Sequence, residues 1–136
     1  MPLNGKRELM ARLRGNSWKF VRGLVLEVHG RLIRKTPVLS GRARNNWNIA
    51  TGTPDTGTTP PGDYPQNGQE AMARGVSQIA DIQAGDVIYD TNALPYIPAL
   101  EDGSSKQAPA GMIKVTVAEI QPLVRQIAAK IAAGGE

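Results

Sequence analysis

Residues Thr51–Asn67 (TGTPDTGTTPPGDYPQN) place four prolines and three glycines in 17 positions. Proline fixes φ and donates no backbone hydrogen bond, and glycine loses the most entropy on ordering, so regular structure does not run through this stretch. It is also longer than an ordinary connection inside a compact domain. A chain of 136 residues is about one domain, assigned to residues 1–136, with its helices and strands divided between the two sides of this stretch. Such a segment is floppy in a monomer or orders as an arm against a partner. The expectation is a flexible or inter-subunit arm, with Tyr64 its one anchoring side chain.

Before the arm, residues from about Lys6 to Lys35 read as helix. Leu9 and Leu13 are four apart, and Phe20, Leu24, Val28 and Leu32 repeat at the same interval, with Val21, Val25 and Ile33 widening the stripe. Ser17 offers a cap for a second helix if the chain breaks near Gly15. Uninterrupted, the segment would rise about 45 Å, so its first turns are expected to be loose or to reach a neighbour. Gly23 and Gly30 each cost a helix roughly 1 kcal/mol relative to alanine; close packing of another element is the expected reason. Proline disfavours the α conformation at the residue before it, so Thr36-Pro37 ends the helix. Trp47–Ala50 reads as the start of a strand. Trp47 is expected in the core under the long helix, the alternative being an exposed platform for stacking bases.

After the arm, Gly68–Ala84 reads as helix with Met72, Val76 and Ile79 on its apolar face. Asp86–Asn92 reads as strand, Ala99–Gly103 as one helical turn closed by glycine, and Met112–Ala133 as helix, kinked or restarted at Pro122. Between the last two lies Tyr96–Gly111 (YIPALEDGSSKQAPAG), rich in turn formers yet carrying Tyr96, Ala99 and Leu100. Its shape is expected to be specified because something binds it. Tyr96 and Leu100 would anchor it to the core of its own subunit, while Glu101, Lys106 and Gln107 would face another chain.

Charge is split along the chain. Residues 1–44 hold 11 Lys/Arg and 2 acids, a net +9, whereas residues 45–136 hold 5 basic and 10 acidic residues, a net −5. A basic end suits nucleic acid, and equally suits the acidic face of a neighbouring subunit. The basic residues circle much of the helix and no helix-turn-helix or ribbon accompanies them, so sequence-specific DNA binding is not expected.

No cysteine is present, which removes disulfides and thiolate metal sites, and His29 is the only histidine, so neither a histidine-based metal site nor a catalytic triad is expected within one chain. No P-loop, GxGxxG, HExxH or GxSxG occurs. Adjacent Glu101 and Asp102 diverge on a helical turn and make a poor acid–base pair; a small hydrolase built on Glu101 is the remote alternative. His29, inside the helix, is expected in a core or surface role. Neither an enzyme nor a cofactor is expected. No apolar run approaches the ~20 residues that span a bilayer, and the first 15 residues lack the apolar core of a signal peptide. The expected place of synthesis and use is a reducing cytosol, or a particle assembled there.

Three segments are similar to one known family. Thr36–Trp47 (TPVLSGRARNNW) resembles the TPVDTGRxRxxW segment of a tailed-bacteriophage neck and tail-completion family. Asn92–Gly103 (NALPYIPALEDG) resembles that family's NxxPYAxxLExG segment, and Ser105–Met112 (SKQAPAGM) its SxQAPxGM segment. The similarity runs from about Phe20 to Ile131, and the last two motifs together are fairly specific. The first departs where Leu39-Ser40 replaces Asp-Thr, removing a carboxylate able to cap the turn before Gly41.

The resemblance implies an α+β fold in which a long N-terminal helix and a C-terminal helix pack on a small β-sheet. It implies a structural virion protein at the head–tail junction, a homo-oligomeric ring of six copies around the DNA channel, without catalysis. Its partners would be the head-closure or connector protein, a tail terminator or tail tube protein, and DNA in the channel bound non-specifically. Its setting would be the virion, and the host cytoplasm during assembly, with no membrane. Tyr64, Glu101, Asp102, Lys106 and Gln107 are the expected subunit or partner contacts. Arg12, Arg14, Arg42 and Arg44 are the expected channel or inter-subunit charges. The alternative is a non-specific DNA-binding protein that uses the basic N-terminal half.

Overall fold

The computed structural model describes residues 18–83 and 85–133. The elements in order are α1 (Trp18–Lys35), a single 3-10 turn (Arg44–Asn46), β1 (Asn48–Thr51), α2 (Gln69–Ile79), β2 (Ile88–Thr91), the short α3 (Ile97–Glu101) and α4 (Ile113–Ala132). The fold is α+β, with helices around a two-stranded antiparallel sheet in which Asn48 pairs Thr91 and Thr51 pairs Ile88. Helical turns predicted before Trp18, and Ala84 at the predicted end of the second helix, lie outside the described residues.

α1 ends where its sequence predicts. The Thr36 hydroxyl donates to the Leu32 carbonyl (2.6 Å) and accepts the Trp47 indole N–H (2.8 Å). One side chain thus closes the helix and seats the tryptophan, which is 1% exposed. Trp47 is a core residue, and the stacking-platform alternative falls. Around it pack Leu32, Ile33, Ala71, Leu94, Ile97 and Met112. Burying a side chain of this size contributes on the order of 3–5 kcal/mol relative to alanine.

α2 is shorter than predicted. Of its predicted apolar face Met72 packs against the core and Ile79 is half-buried, but Val76 is 55% exposed, and the fully buried residues are Ala71 and Gly75. Gly75 explains the difference. A methyl group on it would sit 2.6 Å from Cδ2 of His29, so the bare glycine admits the imidazole. His29 is fully buried between α2 and β2, with Nε2 2.8 Å from the Ala71 carbonyl and Nδ1 2.7 Å from Asp90 Oδ2. A carbonyl accepts only, so Nε2 carries a proton. Of the two glycines in α1, Gly30 faces Met72 and the Arg34 side chain as expected, but beyond its own neighbours and the local helix backbone nothing lies within 4 Å of a methyl built on Gly23. Close packing explains one and not the other.

α4 runs continuously through Pro122. Glu119 joins it to α1 through Arg31 (3.0 Å) and Lys35 (2.7 Å), and at the other end Lys130 stands 5.3 Å from the ring centroid of Phe20. The two helices are therefore antiparallel. Exposed pairs of this kind each contribute little to stability.

Residues 52–67 contain no helix or strand. They are fastened to their own chain. Arg42 donates twice to the Thr59 carbonyl (3.0 and 2.7 Å), the Asn46 side chain exchanges two hydrogen bonds with Thr59, and Thr91 Oγ1 donates to the Asp55 carbonyl.

Candidate interface site

The first motif-bearing segment, 36–47, meets the other two, 92–103 and 105–112, in space. Their joint is the Gln107 amide, which treats Val38 as a strand would. The Val38 N–H donates to Gln107 Oε1 (2.8 Å) and Gln107 Nε2 donates to the Val38 carbonyl (3.1 Å). Asn92 adds a second tie, from Nδ2 to the Ala43 carbonyl (2.8 Å). Between the segments lies a concavity of about 400 Å³, walled by Pro37, Val38, Leu39, Tyr96, Leu100 and Gln107 among others. Leu39 stands at its rim, 94% exposed, and Tyr96 is 42% exposed.

The 36–47 segment is held rigidly from beneath. Gly41 adopts a positive φ of 82° and passes so close to the Tyr64 carbonyl that a side chain there would collide with it. The Arg44 guanidinium donates to the carbonyls of Thr36 (2.7 Å), Arg34 (2.9 Å) and Gln66 (3.1 Å). It thereby caps the C-terminal end of α1, where a cation is favoured. Partial burial draws its pKa below the ordinary arginine value. Asn45 does the reverse at α2, where Gly68 provides no side-chain cap. Asn45 Oδ1 accepts the N–H groups of Glu70 and Ala71, and Nδ2 donates to Gly41 and Pro65. The predicted channel charges Arg42 and Arg44 thus bind backbone carbonyls of their own chain. Arg12 and Arg14 lie outside the described residues.

The 96–111 loop is ordered by Glu101. Its carboxylate accepts the backbone N–H groups of Met112 (2.9 Å), Ile113 (2.8 Å) and Lys114 (3.0 Å), the unpaired donors at the start of α4. Partial burial works against its ionised form, but these three donors outweigh it, and the pKa falls below 4.5. Gly111, at φ 86°, makes room, since a methyl there would stand 2.7 Å from Glu101 Oε2. Glu101 and Gln107, expected to face another chain, both serve their own. Leu100 packs against the core as expected, whereas Tyr96 does not; Leu94, Ile97, Ala108 and Met112 anchor the loop instead. The physical reason is that α3 is one turn long and aims Ile97 inward, leaving Tyr96 at its outer edge. Asp102 and Lys106 are exposed. Tyr64 is half-buried, its hydroxyl donating to the Pro60 carbonyl (2.7 Å) within its own segment and its N–H to Ser40 (2.8 Å).

Leu39, Asn45 and Asn46 escaped the sequence reading. An asparagine's long-range cap has no local signature, and Leu39 stood out only as a departure from the resembled motif. Among the described residues no group of three or more His, Cys, Asp or Glu side chains could hold a metal ion, and no helix is long and apolar enough to cross a membrane. No family model matches the chain, and neither a curated protein nor a solved structure does.

Proposed function

We propose that this chain is a structural virion protein of the phage head–tail junction, forming a ring that completes the tail and joins it to the head connector around the DNA channel. One observation carries the reading. The segments that resemble the tail-completion motifs converge on a single rigid surface whose outer rim is apolar, at Leu39 and Tyr96. A glycine-dependent turn, two asparagine clamps and an Arg44 cap hold that surface in place, although nothing in the monomer covers it. Preorganisation of this kind lowers the entropic cost of docking on a partner. The exposed outer side of the Pro/Gly segment, with Asp102 and Lys106, supplies further contact with neighbouring chains. A ring suits these features because its heterologous interfaces set different faces of one subunit together.

The test is co-sedimentation and imaging of the protein with purified phage tail tubes and with head connectors. Binding to the end of a tube or to a connector is expected, and absence of binding to both would overturn the reading. The alternative, DNA binding through the basic half, is weakened by Arg42 and Arg44, whose guanidiniums already bind carbonyls. It would require affinity for duplex DNA that falls steeply with salt.

A further inference from the structure

His29 joins three elements through one ring and takes no part in the motif surface. It stands on α1, bonds to Asp90 of β2 and to the Ala71 carbonyl of α2, and is fully buried. Gly75 of α2 closes over the edge of the ring, with Ile49 of β1 beside it. Both ring nitrogens meet oxygen. A backbone carbonyl accepts only, so Nε2 carries one proton. Nδ1 and Asp90 Oδ2 are 2.7 Å apart, and a contact of that length between a ring nitrogen and a carboxyl oxygen holds a second proton. With both protons in place the pair has no net charge.

Removing the second proton is costly inside this fold. It would leave a lone carboxylate in the interior, its Oδ2 facing the bare Nδ1 and its buried Oδ1 without a hydrogen-bond partner. A change of tautomer does not help, because a bare Nε2 would face the Ala71 carbonyl instead. Among the described residues Asp90 is the one ionisable group that bonds to the ring. The charges of the surrounding elements are engaged elsewhere. On α1, Glu27 pairs with Arg31, and Arg22 donates to the Ile82 carbonyl. On α2, Arg74 donates to Asn48 and to the carbonyls of Asn45 and Trp47, while Glu70 is exposed. Glu119 of α4 pairs with Arg31 and Lys35. β1 has no ionisable side chain, and Tyr89 of β2 alternates to the opposite face of its strand from Asp90.

We propose that His29 and Asp90 form a proton-dependent latch: the folded chain keeps an imidazolium at position 29 where an unfolded chain has released that proton, and rising pH weakens the joint of α1 with α2 and β2. The latch works within a single chain and needs no ring. Its sign follows from the proton count. An unfolded imidazole gives up its proton above about pH 6.5, so the unfolded chain then binds one proton fewer than the folded one. The folding equilibrium constant therefore falls with rising pH, towards tenfold per pH unit. The sequence keeps that slope readable, because His29 is the only histidine and no cysteine is present. The α-amino group is the other group that ordinarily titrates between about pH 6.5 and 8.5.

Two measurements on the full chain test the latch. The first is nitrogen NMR of the single imidazole in the wild-type protein at about pH 8, where an unperturbed ring is neutral. Both ring nitrogens are expected to be protonated, and a bare Nδ1 would overturn the latch. This spectrum needs no variant, so it decides even if substitutions at the pair fail to fold. The second is urea unfolding of wild type and Asp90→Asn at a series of values from about pH 6.5 to 8.5. An amide at position 90 can donate to a neutral Nδ1, so the variant has no need of the second proton. Wild-type stability should fall with the one-proton slope, and Asp90→Asn should lose that slope. A flat wild-type profile, or the same slope in both proteins, would overturn the latch.

Discussion

At the residue scale, Glu101 is a group whose ionisation is altered by folding. Its folded pKa is depressed below 4.5, so the stabilisation it brings is fully present above the unfolded value and is lost as pH falls through the folded one. Urea titrations from pH 7 towards pH 3 should therefore show stability falling in the acid range. Glu101→Gln should flatten that fall, and Glu101→Ala should cost about 1–2 kcal/mol at neutral pH, as expected for loss of an N-terminal cap. A variant with wild-type stability and wild-type pH dependence would show that the cap is energetically idle. Gly75→Ala should destabilise by about 1–3 kcal/mol through overpacking against His29, read as a lower urea midpoint. Thr36 and Trp47 could be placed from sequence, because a helix-ending threonine before proline and a large aromatic each have one dominant use. Glu101 could not, because its partners lie 11 to 13 residues ahead and nothing local marks them.

At the element scale, α1 and α4 were legible because a four-residue apolar repeat and a terminal proline or glycine are local facts. The face of α2 was not. Periodicity selected Met72, Val76 and Ile79; Met72 packs against the core and Ile79 is half-buried, but Val76 is exposed, and the buried line runs through Ala71 and Gly75, where His29 packs. Arg44 shows the same limit: its charge is visible in sequence, whereas its three carbonyl partners exist only once α1, the 3-10 turn and the Pro/Gly segment are assembled. Arg44→Ala should cost about 1.5–3 kcal/mol, the range for hydrogen bonds to a charged group. DNA affinity should be unchanged in that variant; a drop in affinity at equal stability would restore the channel-charge role. Pro122 withholds an N–H from the helical ladder of α4. Pro122→Ala should raise stability by up to about 3 kcal/mol, measurable as a higher urea midpoint.

At the scale of the whole molecule, the division of the chain about residues 51–67 was readable from composition and helices and strands were readable on either side, while the α+β class was expected from the family resemblance and is what the structure has. What composition could not show is that the dividing segment is gripped by Arg42 and Asn46, or that the two resembled motifs close on each other through Gln107. Long-range amide pairs of this kind depend on the final placement of the backbone. Gln107→Ala should therefore loosen the 96–111 loop, seen as faster amide exchange around Val38, while leaving the helices intact. Unchanged exchange there would mean that the loop is held by its buried apolar anchors alone.

The two-stranded sheet also has a consequence for how the chain acquires its shape. β1 and β2 are separated by residues 52–87, which include the Pro/Gly segment and all of α2. Pairing them closes a long loop, and that entropy must be lost before any inter-strand bond forms. α1 with its Thr36–Trp47 latch, by contrast, involves only near neighbours in sequence. A chain emerging from the ribosome can complete α1 and the latch early, whereas β1 waits with its pairing edge uncovered until Ile88–Thr91 arrives. The Gln78 bond to Ile49, made by α2 on the opposite edge, shields one side of β1 during that interval. Loop-closure entropy therefore predicts that the sheet closes late, with the β2 amides that bond to β1 gaining exchange protection after those of α1 during refolding.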